Sequence, residues 1–128
     1  MSAGGDIVEK KLFEYFLGFI GQVKLFHWTT MRYATHKALD DLHSSLSKNV
    51  DNLIEVYIGK FDKQPINSFN ITMNATTTSS DLIEYLNIQR EIIKKMRNTY
   101  FKSCTELQNI TDEIMGSIST AIYLCKMN

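Results

Sequence analysis

The stretch FHWTTMRYATHKALDDLHSSLSKNVDNLIEVYIG, residues 26–59, holds all three histidines and the only tryptophan of the chain. Its apolar residues Leu39, Leu42, Leu46, Val50, Leu53 and Tyr57 recur at steps of three and four. That is the period of an amphipathic helix, and it predicts one over residues 33–61. Upstream, Leu12, Phe16, Phe19, Ile20, Val23 and Phe26 follow the same period and predict a helix over residues 6–30. Asp6 with Glu9 three residues later has the pattern of a capping box at its start. Gly18 and Gly21 lie inside this helix and weaken it, so a close contact with another helix is expected there. The link between the two helices is short, which makes them an antiparallel hairpin.

Downstream the pattern stops. KQPINSFNITMNATTTSS, residues 63–80, contains the only proline and is rich in Asn, Thr and Ser, which compete with helix for backbone hydrogen bonds. A third helix is predicted from Asp81, carrying Leu82, Leu86, Ile92, Ile93 and Met96 and ending between residues 101 and 104. A fourth carries Leu107, Ile110, Ile114, Ile118, Ile122 and Cys125. The fold class is therefore all-α, a single domain over residues 1–128. About 18 extended residues reach ~60 Å, more than the ~40 Å of a 27-residue helix. The long link can thus run the whole length of a bundle and join two antiparallel hairpins, the ferritin-like arrangement. Its length also permits an up-down bundle with a loose loop.

The second helix carries a set of ionisable residues, His36, Asp40, Asp51 and Glu55, at steps of four, eleven and four. A step of four puts two side chains on one face a turn apart. Eleven residues is close to a whole number of turns, so both pairs share a face, yet they stand ~16 Å apart along the axis. One ion bound at ~2 Å cannot be held by both pairs of one helix. Two copies of this helix, antiparallel across a two-fold axis near Ser45 and Leu46, would set His36 and Asp40 of one chain opposite Asp51 and Glu55 of the other. Symmetry then gives two equal sites per dimer. Ser44 and Ser47 lie between the pairs and are small enough to let the helices approach. The stripe lies about a third of a turn from the leucines, so it faces water or another subunit. His27, at the end of the first helix, is carried by the tight turn to the neighbourhood of His36. The donor set His27, His36, Asp40, Asp51 and Glu55 suits Fe(II), with zinc and manganese as alternatives. Such a site releases metal when its imidazoles protonate. Against this stands the ordinary charged face of a helix, which makes single four-step pairs of acids common. His43, between the leucine and acid stripes, is expected as a hydrogen-bonded boundary residue rather than a ligand. Trp28 is expected either as interfacial packing or as an electron donor beside the site.

At these positions the sequence resembles the Dps-type mini-ferritins of the ferritin-like superfamily. Their pattern of His-Trp, then His-x3-Asp, then Asp-x3-Glu reads here as His27-Trp28, His36…Asp40 and Asp51…Glu55. The resemblance implies an Fe(II) site shared across a dimer interface, with peroxide or oxygen as oxidant. It implies a homodimer or larger homo-oligomer and a role in iron sequestration. The two histidines are nine residues apart, three fewer than in the mini-ferritins. The pattern also resembles a small ferritin-like family of unknown function found among large DNA viruses. That likeness rests on KLFHW (24–28), HKALD (36–40), Glu55 and Gly59-Lys60. It suggests an alternative in which the bundle is a non-enzymatic interaction or structural protein of a virus, with the polar face of the second helix used for dimerisation.

Lysine plus arginine equals aspartate plus glutamate at 14 each, so no overall field favours nucleic acid or an anionic membrane. No apolar run approaches the ~20 residues that cross a bilayer. Cys104 and Cys125 are too few for a disulfide framework and read as reduced packing residues. With no leader-like N-terminus, the expectation is an intracellular protein of a cytoplasm, a host cytoplasm or a virion. The sequons at Asn70, Asn74 and Asn109 then carry little weight.

Overall fold

A computed structural model describes the backbone of residues 3–63, 68–75 and 78–127, with side chains from residue 11 onward. The described residues form four helices: α1 (Ala3–Thr29), α2 (Tyr33–Phe61), α3 (Ser79–Thr99) and α4 (Thr105–Cys125). The bounds of α2 are those its leucine periodicity predicts. Helix α1 begins earlier than expected, so Asp6 and Glu9 lie within it and not at a cap. No proline upstream removes a backbone N–H that would stop the helix there. Helix α3 also begins earlier, because the Thr78 side chain caps it by accepting from the Asp81 amide at 3.2 Å. Helix α2 ends at Asp62, whose left-handed φ of 54° turns its amide onto the Ile58 carbonyl at 2.7 Å. Aspartate tolerates this conformation better than most residues.

The core is one cluster in which each helix contributes its apolar stripe, with Phe16, Phe19, Leu39, Leu46, Leu53, Leu86, Ile93, Leu107 and Ile114 essentially sealed from water. Both free cysteines are buried within it. Cys104 sits at the start of α4 and donates its thiol proton to Glu106 at 2.9 Å, while the Lys60 ammonium stands 3.3 Å from the same carboxylate. This corner ties the end of α2 to the beginning of α4.

The crossover runs the full length of the bundle. Phe13 of α1 meets Tyr57 near the end of α2, so the crossover departs beside the early part of α1. Ile71 and Met73 then lie over Gly18 and Gly21. Farther on, Arg32 at the start of α2 donates to Ser79 at the start of α3, at 2.8 Å. The starts of α2 and α3 are therefore at the same end, and the two helices run parallel. This is the connectivity of two antiparallel hairpins joined by a long crossover; an up-down bundle would set α2 and α3 antiparallel.

Gly18 and Gly21 of α1 do make a close contact, but with the crossover and not with a helix. A Cβ at Gly21 would stand 2.9 Å from the Met73 sulfur, and one at Gly18 3.5 Å from Ile71. Next to them, the buried Gln22 side chain pairs with the Asn74 backbone as a strand would. Its Nε2 donates to the Asn74 carbonyl and its Oε1 accepts from the Asn74 amide, both at 2.8 Å. Removing that side chain leaves two backbone groups without their partner. Gln22→Ala is expected to cost about 1–3 kcal/mol. Urea denaturation will show this as a lower midpoint, and limited proteolysis will show earlier cleavage in the crossover than in the parent.

Candidate metal centre

The site is organised by the turn between α1 and α2, residues 30–32. The last carbonyls of a helix have no partner within it. Here the His27 carbonyl receives Nδ1–H of His36 at 2.9 Å, and the His36 carbonyl receives Nδ1–H of His27 at 2.9 Å. The two rings stack with centroids 3.9 Å apart and planes 20° apart. The short turn therefore brings the two histidines together, nine residues apart in sequence.

The bonds fix the chemistry of both rings. A carbonyl oxygen can only accept, so in each ring Nδ1 carries the proton. Nε2 is then the ring nitrogen that takes no part in these bonds. Orientation of a ring by Nδ1–H to a backbone carbonyl is the support that ligating histidines commonly have. Neither Nε2 has a hydrogen-bond partner among the described residues. That of His27 lies 3.9 Å from Asp40 Oδ1, close in direction but too long for a hydrogen bond. His27 is buried, His36 is partly buried, and the Asp40 side chain is 48% exposed. Asp40 stands beside His27, on which His36 stacks, at one end of α2.

Asp51 and Glu55 are placed differently. They lie on the same side of α2, but about three turns farther on, ~16 Å along the axis from Asp40 and His36. Both are exposed, and neither has an ion-pair or hydrogen-bond partner among the described residues. Within the chain, no three His, Cys, Asp or Glu side chains converge to hold a metal among the described residues. One chain thus offers two partial donor sets on one face. Ser44 and Ser47 lie between them, with Ser44 exposed and Ser47 partly so.

His43 is partly buried on the same helix, with Lys24, Asp40 and His27 as its charged or titratable neighbours. Burial lowers its imidazole below the ordinary range and the Lys24 ammonium adds to this, while Asp40 opposes. It is a boundary residue as expected, although no protein hydrogen bond satisfies it among the described residues. Trp28 follows His27 directly but is 68% exposed. Met31 and Tyr33 in the same turn are exposed as well, a feature the periodicity of the buried residues does not register. The Arg32 side chain was not expected to matter. It donates to Ser79 and to the Met127 carbonyl, at 2.8 and 2.7 Å, and so holds the turn against α3 and the end of α4. A lone arginine in a turn gives no sequence signal of such a role.

Residues 27–125 match the model of a family of unknown function, DUF5856. The match begins at His27 and includes His36, Asp40, Asp51 and Glu55. No curated protein and no solved structure matches the chain.

The His43 environment can be measured directly. In an NMR titration its midpoint is expected below about 6.5, the ordinary value for imidazole. Lys24→Ala should raise the midpoint only in part, since burial is the larger cause. A lowered folded pKa means that the unfolded chain binds the proton more readily. The contribution of His43 to stability is therefore intact above pH ~6.5 and declines as the pH falls below it.

Proposed function

The chain belongs to the DUF5856 family, and on that premise we propose that it binds Fe(II) between two copies of itself and oxidises it. His36 and Asp40 of one chain face Asp51 and Glu55 of the other, and His27 completes the set beside His36. The observation that carries this reading is the reciprocal imidazole–carbonyl pair. It fixes both rings through Nδ1 and leaves each Nε2 without a hydrogen-bond partner among the described residues, that of His27 standing 3.9 Å from Asp40 Oδ1. The donor set also fits the ion. Imidazole nitrogen and carboxylate oxygen together suit Fe(II), and the carboxylates favour the Fe(III) product.

The arithmetic of α2 supports the pairing. Antiparallel helices crossing between Ser45 and Leu46 set His36 against Glu55, Asp40 against Asp51, Ser44 against Ser47 and the exposed Tyr33 against Ile58. Each polar donor then meets a polar donor, and the small serines lie at the point of closest approach. In this arrangement iron is the substrate. Two Fe(II) ions each give up one electron, and one hydrogen peroxide takes both, with two protons, to form two waters. Oxygen serves as the alternative oxidant. Trp28, adjacent to His27 and largely exposed, is the candidate electron donor. The resemblance to Dps-type mini-ferritins adds iron sequestration and protection against oxidative stress as the purpose, in a homodimer or larger assembly.

A second reading rests on the incomplete donor set of the single chain. The bundle is then a non-enzymatic interaction or structural protein, viral in the sense of the second resemblance. Its α2 face pairs two copies through hydrogen bonds and salt bridges without metal.

Complementation separates the two. Anaerobic Fe(II) titration of His36→Ala or Asp51→Ala alone is expected to show the high-affinity site lost, with the dimer kept in solution. A mixed dimer of the two variants should recover half of the parent stoichiometry. One of its two sites carries both defects and the other carries neither. Unchanged stoichiometry in the single variants removes the site, and a dimer that binds no iron at all favours the structural reading.

A further inference from the structure

Unlike the other neighbouring pairs of the bundle, α1 and α3 do not approach within 8 Å at any pair of Cα atoms among the described residues. Aromatic rings hold them apart. Phe26 and Phe19 of α1 pack edge-on against Tyr85 of α3, and Tyr15 donates to the buried Gln89 at 2.7 Å. Below Tyr15 this filling ends. A groove of about 690 Å³ opens there, floored by Leu12 and Met96 and walled by Ile92 and Tyr100. Leu12 and Met96 are core residues, while Ile92 is partly buried and Tyr100 exposed. A second, smaller cavity of about 140 Å³ shares Leu12 and Tyr100 with the groove and is otherwise lined by Tyr57, Phe61 and Phe101. The two spaces lie on either side of Leu12 and Tyr100.

The rim is polar and unbalanced. Among the described residues, Lys11 and Lys95 stand on it with one carboxylate, Glu14. Both lysines are exposed and neither has an ion-pair partner among the described residues. A concave apolar site of several hundred Å³ with a few charged groups at its edge is the usual form of a small-molecule site. An apolar floor alone would take any hydrophobe; two ammonium groups against one carboxylate select an anionic head.

We propose that this groove binds a monoanionic amphiphile of the class of a long-chain fatty acid. The carboxylate lies at the rim that carries Lys11 and Lys95. The acyl chain lies along Leu12, Ile92 and Met96 as far as Tyr100. No residue of the groove belongs to the candidate metal centre, so this site stands or falls apart from iron binding.

The test uses the full chain and a fluorescent fatty acid, 11-(dansylamino)undecanoic acid, displaced by dodecanoate and by dodecanol. Saturable binding is expected at probe concentrations below micelle formation, with dodecanoate the better competitor. Lengthening the competitor should tighten binding by up to about fourfold per methylene until the groove is full. Lys11→Glu combined with Lys95→Glu should weaken dodecanoate roughly fivefold to tenfold and leave dodecanol unchanged. Thr99→Trp, at an exposed position on the rim, should fill the groove and weaken both. The proposal is overturned by the absence of saturable binding, by dodecanol competing as well as dodecanoate, or by binding that neither variant alters.

Discussion

Two imidazoles exchanging hydrogen bonds with each other's backbone carbonyls close the turn between α1 and α2, and much of the molecule follows from that closure. The turn has only three residues between the helices, too few to satisfy the orphan carbonyls at the end of α1 by themselves. The histidines supply the missing donor and, in doing so, fix the hairpin at its end. With that end fixed, the apolar stripes of α1 and α2 meet along their length from Phe26 down to Phe13 and Tyr57. The same bonds leave each ring's Nε2 without a hydrogen-bond partner among the described residues. The turn is thus also what orients both rings at the candidate metal centre.

The remaining architecture answers the question of how α3 can run parallel to α2. A chain leaving α2 must return to the opposite end before starting again, and the crossover does so along α1. Gly18 and Gly21 clear the surface, Gln22 grips it, and Arg32 receives it at the far end. The residues between α1 and α3 then have to span a wider gap than those between the closely packed pairs. Aromatic side chains do this over half of the interface, and the groove marks where they give out.

Much of this was legible in the amino-acid sequence, for identifiable reasons. The four stripes of apolar residues fixed the number and order of the helices, and the bounds of α2 could be read to the residue because polar turn residues flank a sustained period. The start of α1 could not, since Ala3, Gly4 and Gly5 offer neither a stop nor a strong start and the capping pattern at Asp6 is only local. The partner of the α1 glycines was misread as a helix because a glycine records that something comes close, not what. At the candidate metal centre, helical geometry alone placed His36, Asp40, Asp51 and Glu55 on one face. The ring stacking, the Nδ1 bonds and the exposure of Trp28 depend on how two helices meet, which no period within either helix encodes.

The clasp of Gln22 on Asn74 divides the crossover into two unequal spans. From Asn74 to the Thr78 cap only a few residues remain, and both ends of that span are anchored at a set height on the bundle. A lengthening there must bulge outward or pull α3 out of register. The span from Asp62 to Ile71 has its attachments farther apart in sequence. Among relatives of this chain, natural variation in loop length should therefore gather ahead of the clasp, and the distance from the clasp to α3 should hold nearly constant.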